Sequence, residues 1–272
     1  MKMSAGALLT AGLWPGVLAA QDALAPDISF LCVNDLHYIN SNCIPFFQKM
    51  VMKMRIAAAG PETRLLLVVG DVTDDGTPPQ LMAMHDVIKT TALTPKYVIG
   101  NQDWTTDTDR RFFDTIYPNS INYTFEQNGW QFVGLDSTDG VKYQNTSITK
   151  ATLDWVDANL PKLDKKRPMI LYTHFPMGEG VTYRPKNAED LMNRFKEHNL
   201  RAVFNGHYQG YTERTVGDYM ITTGKCCSFR RDNYDGTPEK GFYICKSRDG
   251  KMSREFVEVD RRQPAPATKA SI

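Results

Sequence analysis

Five short stretches of this 272-residue chain place metal-ligating or acid–base side chains directly after apolar runs. They are "VNDLH" with Asp35 and His37, "VVGDVTDDG" with Asp71 and Asp74, "VIGNQD" with Asn101, Gln102 and Asp103, "LYTHFP" with His174, and "FNGHYQ" with His207 and Gln209. Carboxylates, imidazoles and amide oxygens are donors that hard and borderline divalent ions take. Any one stretch means little, because a lone histidine at a strand end is more often structural than a ligand. The repetition carries the signal: three of the five histidines, His37, His174 and His207, fall at such junctions. Ligand sites in open α/β sheets lie outside the carboxyl ends of strands, so these junctions can share one site.

In order and spacing the stretches resemble the calcineurin-like metallophosphoesterases. "NDLH" matches that family's D-x-H, "GDVTDDG" its G-D-x-x-D, and "YTHFP" its later lone histidine; "GNQD" and "GHYQ" resemble G-N-H-D and G-H-x-H. The resemblance covers about Ile28 to Val259. It implies a four-layer α/β/β/α sandwich: two mixed sheets with helices on the outer faces and a dinuclear metal site at strand ends. It implies that Asp71 bridges both metals, that Asp35, His37 and the position of Gln209 complete one site, and that Asn101, His174 and His207 complete the other. Physical chemistry agrees with such an arrangement. Two divalent ions about 3.5–4 Å apart need a bridging anion, and a water between them becomes a hydroxide able to attack phosphorus in line. Manganese, iron or zinc suits the mixed ligands, without a choice among them. The expected activity is metal-dependent hydrolysis of a small phosphoric ester, by a phosphatase or phosphodiesterase.

Two positions depart from the family pattern, and both carry glutamine. The resemblance gives the residue at Gln102 the task of donating a proton or hydrogen bond, oriented by the neighbouring Asp103. Glutamine does not titrate, so general acid catalysis at this position is lost, a contribution of typically ~10²–10⁴ in rate. Its amide N–H still donates to a phosphoryl oxygen. Diesters or activated monoesters are therefore favoured over simple alkyl monoesters. Gln209 offers an amide oxygen, a harder donor than imidazole, which shifts its site toward manganese, iron or magnesium. The two glutamines also admit a second reading, a catalytically impaired binding module on the same fold. Asp74 is balanced between supporting the site and simple turn chemistry before Gly76. Trp104, Tyr208 and Tyr211 could wall a pocket, and Arg184, Arg230 and Arg231 could meet a second phosphate; ordinary packing and surface roles are the simpler reading of each.

Alternating elements must position these residues. "DISFLCVND", "RLLLVVGD" and "KYVIGN" read as strands, the second a continuous apolar run as in a strand covered on both faces. Helices are expected over about 44–59, after Pro78-Pro79 and over 107–116. A hairpin turning at Asn128-Gly129 follows. Next come a helix with Leu153, Val156 and Leu160 on one face, the strand "PMILYTHFP", the helix "AEDLMNRFKEHNL" and the short strand "AVFNGH". The last part reads as strands, with a tight turn at Asp249-Gly250.

Composition bounds the rest. Lys+Arg is 32 and Asp+Glu 31, so the charge gives no signal for nucleic acid or an anionic membrane. The uncharged run from Ser4 to Ala20 reads as a signal peptide over 1–20, cleaved near Ala19 or Ala20, with a membrane tether or disordered tail as the other readings. "MKMSAG" resembles the end of a twin-arginine leader whose arginine pair would lie upstream. The expectation is export to a periplasmic or extracellular location, a metallophosphoesterase domain over 27–260 and a disordered tail over 261–272. The five cysteines lack C-x-x-C spacing; buried free thiols are favoured over a bridge from Cys245 to Cys226 or Cys227.

Overall fold

The computed structural model describes residues 25–261. In chain order the elements are β1 (Ile28–Val33), α1 (Ile44–Ala57), β2 (Thr63–Val69), α2 (Pro78–Lys89), β3 (Thr94–Val98), α3 (Arg111–Ile116), β4 (Tyr123–Gln127), β5 (Trp130–Leu135), α4 (Lys150–Asn159), β6 (Met169–Thr173), α5 (Ala188–Arg194), β7 (Leu200–Asn205), β8 (Thr212–Val216), β9 (Tyr219–Thr223), β10 (Gly241–Arg248) and β11 (Lys251–Glu258). They form two mixed sheets, ordered β11-β10-β1-β2-β3 and β4-β5-β6-β7-β9-β8. Within the first, β1, β2 and β3 are parallel, β10 runs antiparallel beside β1, and β11 antiparallel beside β10. Within the second, β5, β6, β7 and β9 are parallel, with β4 and β8 antiparallel at the edges.

The continuous apolar runs are explained by what lies on each side. Successive strand residues point to opposite faces. On β2, Leu66 and Val68 face α1 and α2, packing with Phe47, Met50, Leu81 and Met84. Its alternate residues Leu65, Leu67 and Val69 face the other sheet, in a layer with Phe30, Trp130, Phe132, Ile170, Tyr172 and Phe204. On the far side, Val133, Leu171 and Val203 pack against Val156, Leu160, Leu191 and Phe195 of the α4–α5 region. Helix, sheet, sheet and helix thus make the four layers, with an apolar layer at each of the three boundaries. Phe30 sits at the centre of the middle layer, edge-on to Phe132 and Phe204 at 5.8 and 5.6 Å.

Both turn signals are realised. Asn128 and Gly129 have φ of 48° and 81°, and Asp249 and Gly250 have 49° and 73°, the paired left-handed conformations of a tight hairpin. Two helices are shorter than the sequence pattern predicts. The first starts at Arg111 instead of 107, because Thr105 N and Thr106 N bond back to Asp109 O and close a turn. The helix expected over 188–200 ends at Arg194; Phe195 to His198 continue as turns, and Leu200 is claimed by β7. All five cysteines are buried and free. Among the described residues no helix is long and apolar enough to cross a membrane. The segment 1–20, expected to be a signal peptide, lies outside the described residues, and of the expected tail only Arg261 is described, paired with Asp232 at 3.1 Å.

Candidate metal centre

The loops that leave β1, β2, β3, β6 and β7 converge at one end of the two sheets. Backbone conformation turns their polar residues inward. Asp35, His37, Asp71, His207 and Gln209 all have positive φ, between 47° and 60°. Left-handed backbone is uncommon outside glycine and concentrates where function over-determines the chain. Two glycines of the motifs make room at the same place. A Cβ on Gly100 would lie 2.1 Å from Asp71 Oδ1, and one on Gly70 would lie 2.4 Å from His174 Nδ1. Any side chain there would displace a site residue, which is why β2 and β3 are followed by glycine before their polar groups.

The histidines are presented in one manner. Each holds its outer ring nitrogen against an oxygen acceptor: His37 Nδ1 at 3.0 Å from Asp74 Oδ1, His174 Nδ1 at 3.0 Å from Val69 O, and His207 Nε2 at 2.7 Å from Tyr143 O. With those nitrogens donating, the inner nitrogen of each ring is the one left to take a proton or a cation. The inner atoms gather around two carboxylates. His174 Nε2 lies 3.3 Å from Asp71 Oδ1, 3.3 Å from Asn101 Oδ1 and 3.2 Å from His207 Nδ1. His37 Nε2 lies 3.5 Å from Asp71 Oδ2 and 2.9 Å from the Gln209 amide. The donors form two groups, Asp35–His37–Asp71 and Asp71–His174–His207, and Asp71 belongs to both.

Several observations fit this donor set to divalent cations. Asp35 is fully buried, yet its Oδ1 has no hydrogen-bond partner among the described residues and stands 3.6 Å from His37 Nε2. Its Oδ2 is held by Asn34 Nδ2 at 2.7 Å and His207 N at 2.9 Å. A buried, unpaired carboxylate oxygen is costly, and a cation satisfies it. The Gln209 amide, on rotation, offers its oxygen at the same place.

Electrostatics tell the same story. Burial alone would lower His37 and His174, but it is outweighed. The carboxylates of Asp35, Asp74 and Asp71 bring His37 up to about 9, and Asp71 with Asp35 brings His174 up to about 9. Burial would raise Asp71, but the three imidazoles hold it well below the usual carboxylate range. His207 falls to about 4 through burial and the neighbouring His174. Two protons thus occupy, in the metal-free protein, the place that cations would take.

All seven predicted ligands, Asp35, His37, Asp71, Asn101, His174, His207 and Gln209, meet here. Gln102 lines the same cavity, of about 230 Å³, and its backbone N–H donates to Asp71 Oδ1 at 2.9 Å. Asp103 has a different orientation from the one expected. Its carboxylate turns away from Gln102 to accept from Gly100 N at 3.0 Å, Thr73 N at 2.9 Å and Thr73 Oγ1 at 3.2 Å. It fixes the loop instead of orienting residue 102, and burial with the charge of Asp71 raises it to about 6. Asp74 supports the site: its Oδ1 takes His37 Nδ1 and also Arg231, from Nε at 2.9 Å and Nη2 at 2.6 Å. The aromatics singled out from sequence lie elsewhere. Trp104 donates to Thr138 Oγ1, and Tyr208 lines a separate cavity. The cavity rim is made by Tyr143, Tyr183, Tyr234 and Arg231; the three tyrosines sit in loops without any local signal. A larger cavity, about 490 Å³, opens at the start of β3 beside His85 and Tyr97, and none of the predicted ligands lines it.

Comparison with known proteins follows the same lines. The chain is 27% identical over 189 residues to a 3',5'-cyclic-nucleotide phosphodiesterase of Nostoc sp., covering 66% of this chain and 69% of that protein. It is 27% identical over 186 residues to a protein of Arcobacter nitrofigilis named "Probable glycerophosphodiester phosphodiesterase GpdQ", covering 64% of this chain and 63% of the relative. Among solved structures, the purple acid phosphatase PPD1 of yellow lupin superposes with a TM-score of 0.63 over 86% of this chain and 52% of the enzyme, at 10% identity. GAP50 of Plasmodium, described as the anchor in the inner membrane complex, superposes with a TM-score of 0.59 over 86% of this chain and 85% of its own, at 14% identity. At those identities the structures speak to the fold alone. The calcineurin-like phosphoesterase model matches residues 28–211, a span that opens with β1 and takes in every loop carrying a predicted ligand through Gln209, and the chain belongs to that family.

Proposed function

We propose that this chain is a metal-dependent phosphoric ester hydrolase, with phosphoric diesters or activated monoesters as its substrates. The observation that supports this reading most is the shared carboxylate: Asp71 stands in both donor groups, with three histidines whose outer nitrogens are each held by an oxygen. Asp35, His37, Asp71 and Gln209 would hold one divalent cation, and Asp71, Asn101, His174 and His207 the other. Such a pair supplies Lewis-acid stabilisation of phosphoryl charge and a hydroxide nucleophile at neutral pH. Manganese, iron or magnesium suits the amide-bearing site better than zinc.

The chain's own residues then set the preference. Gln102 can donate an amide N–H to a phosphoryl oxygen but gives no proton to a leaving group. A leaving group of low pKa needs none. The names of the two phosphodiesterase relatives favour diesters within this reading. Export is part of this reading, on the uncharged run from Ser4 to Ala20 that reads as a signal peptide.

A catalytically impaired binding module is the second reading, favoured by glutamine at both 102 and 209. Metal analysis with a phosphatase and phosphodiesterase panel separates the two. Near two manganese per chain, with aryl diesters cleaved faster than alkyl monoesters, is the expected result. Gln102→His should raise alkyl monoester turnover by up to ~10²-fold and leave aryl diesters nearly unchanged. No bound metal after manganese loading would establish the binding module instead.

A further inference from the structure

The reading above leaves open what the phosphorus carries. Beyond the ligand set and Gln102, the cavity is lined by four residues: Tyr143, Tyr183, Arg231 and Tyr234. They come from three loops, after β5, after β6 and between β9 and β10. Tyr183 has φ +67°, a conformation a bulky side chain adopts rarely and only when its surroundings hold it there. Its ring stands edge-on to His207 at 5.2 Å and touches Tyr143 at 6.2 Å and Tyr234 at 5.7 Å. Tyr143 and Tyr234 are 52% and 56% exposed. A connected aromatic surface is thus held open at the mouth of a polar site. Open aromatic faces beside a few convergent polar groups suit a ligand that brings a flat ring of its own.

Arg231 completes the wall. Its Nε and Nη2 are spent on Asp74 Oδ1, while Nη1 has no hydrogen-bond partner among the described residues. Among the described residues it is the one arginine or lysine that lines the cavity, and Asp74 already balances part of its charge. A guanidinium fixed in this way presents a directed donor to a single phosphoryl oxygen.

We propose that Arg231 takes a non-bridging oxygen of a phosphoric diester while Tyr143, Tyr183 and Tyr234 seat a planar ring on one ester arm. This assignment of substrate class rests on the hydrolase reading above. Its test uses two diesters with the same leaving group, phenyl p-nitrophenyl phosphate and methyl p-nitrophenyl phosphate, on manganese-loaded protein, with rates normalised to spontaneous hydrolysis.

The phenyl diester should be favoured about fivefold or more in kcat/KM, mainly through KM. The doubly substituted Tyr143→Ala, Tyr234→Ala protein, altered only at half-exposed rings, should bring that ratio to within about twofold of one. Calorimetry with the monomethyl ester of phenylphosphonic acid, whose P–C bond is not hydrolysed, should show about fivefold weaker binding to the same variant. Arg231→Gln should lower kcat/KM on both diesters at least ~tenfold with manganese content unchanged.

An equal preference in the wild type, or a preference that survives the tyrosine substitutions, overturns the ring assignment alone. Manganese lost in step with activity in Arg231→Gln makes that residue a prop for His37 through Asp74 and overturns its contact with substrate. Failure to cleave either diester removes the hydrolase reading and this one with it.

Discussion

Metal loading of this protein should release protons, and the number should depend on pH in a way the site geometry fixes. His37 and His174 are held up to about 9, whereas His207 lies at about 4. Only neutral imidazole binds a cation, so each protonated ring must give up its proton. At pH 7.5 both rings with a pKa near 9 are almost fully charged, and loading releases about two protons. At pH 9 each is half charged, and the release falls to about one. His207 is neutral throughout and adds nothing. A proton given up by water in the site adds nearly equally at both pH values, so the difference between them belongs to the histidines. The histidines alone should accordingly make the logarithm of the overall two-ion manganese constant rise by about two per pH unit near pH 7, about one for each ion, and more slowly toward pH 9. Calorimetric titration of metal-free protein with manganese, in buffers of different ionisation enthalpy, counts the protons directly. The variant Asp74→Asn removes a carboxylate that holds His37 charged, and its release at pH 7.5 should drop toward one. A release that is flat between pH 7.5 and 9 in the wild type would refute the reasoning, because it would mean the two histidines do not titrate near 9 in the metal-free site.

Two further expectations test the frame around the site. Gly100→Ala puts a Cβ 2.1 Å from Asp71 Oδ1 and should cost most of the bound manganese by displacing the shared carboxylate, measured by metal analysis of a variant whose far-ultraviolet circular dichroism is unchanged. Phe30→Ala empties the centre of the layer between the sheets and should destabilise the metal-free protein by about 3–5 kcal/mol in denaturant unfolding.

Much of the site was legible in the chain, and the reason is local. A buried strand that ends in a polar residue, with glycine between them at Gly70, Gly100 and Gly206, is a pattern within six or seven positions, and the five strand ends of this kind mark the loops that meet. The continuous apolar runs likewise reveal strands covered on both faces, because Leu65 to Val69 must satisfy a helix layer on one side and a second sheet on the other. The helix limits at Arg111 and Arg194 were harder, since a turn held by Asp109 and a strand claiming Leu200 compete with helical spacing. Asp103 shows the limit within the site. Its place beside Gln102 suggested a partner, but adjacent side chains on a tight turn point apart, and Gly100 and Thr73 hold its carboxylate.

Residue types and spacing by themselves marked the polar residues at five strand ends, and the family pattern they resemble implied the donor set and picked out the two glutamines that depart from it. Tertiary structure alone decided which oxygen holds each histidine, that Asp74 joins His37 to Arg231, and that Tyr143, Tyr183 and Tyr234 meet at the mouth of the cavity. Those relations join loops separated by tens to more than a hundred residues. No local pattern encodes them, because they exist only once two sheets pack face to face and bring their strand ends to one edge.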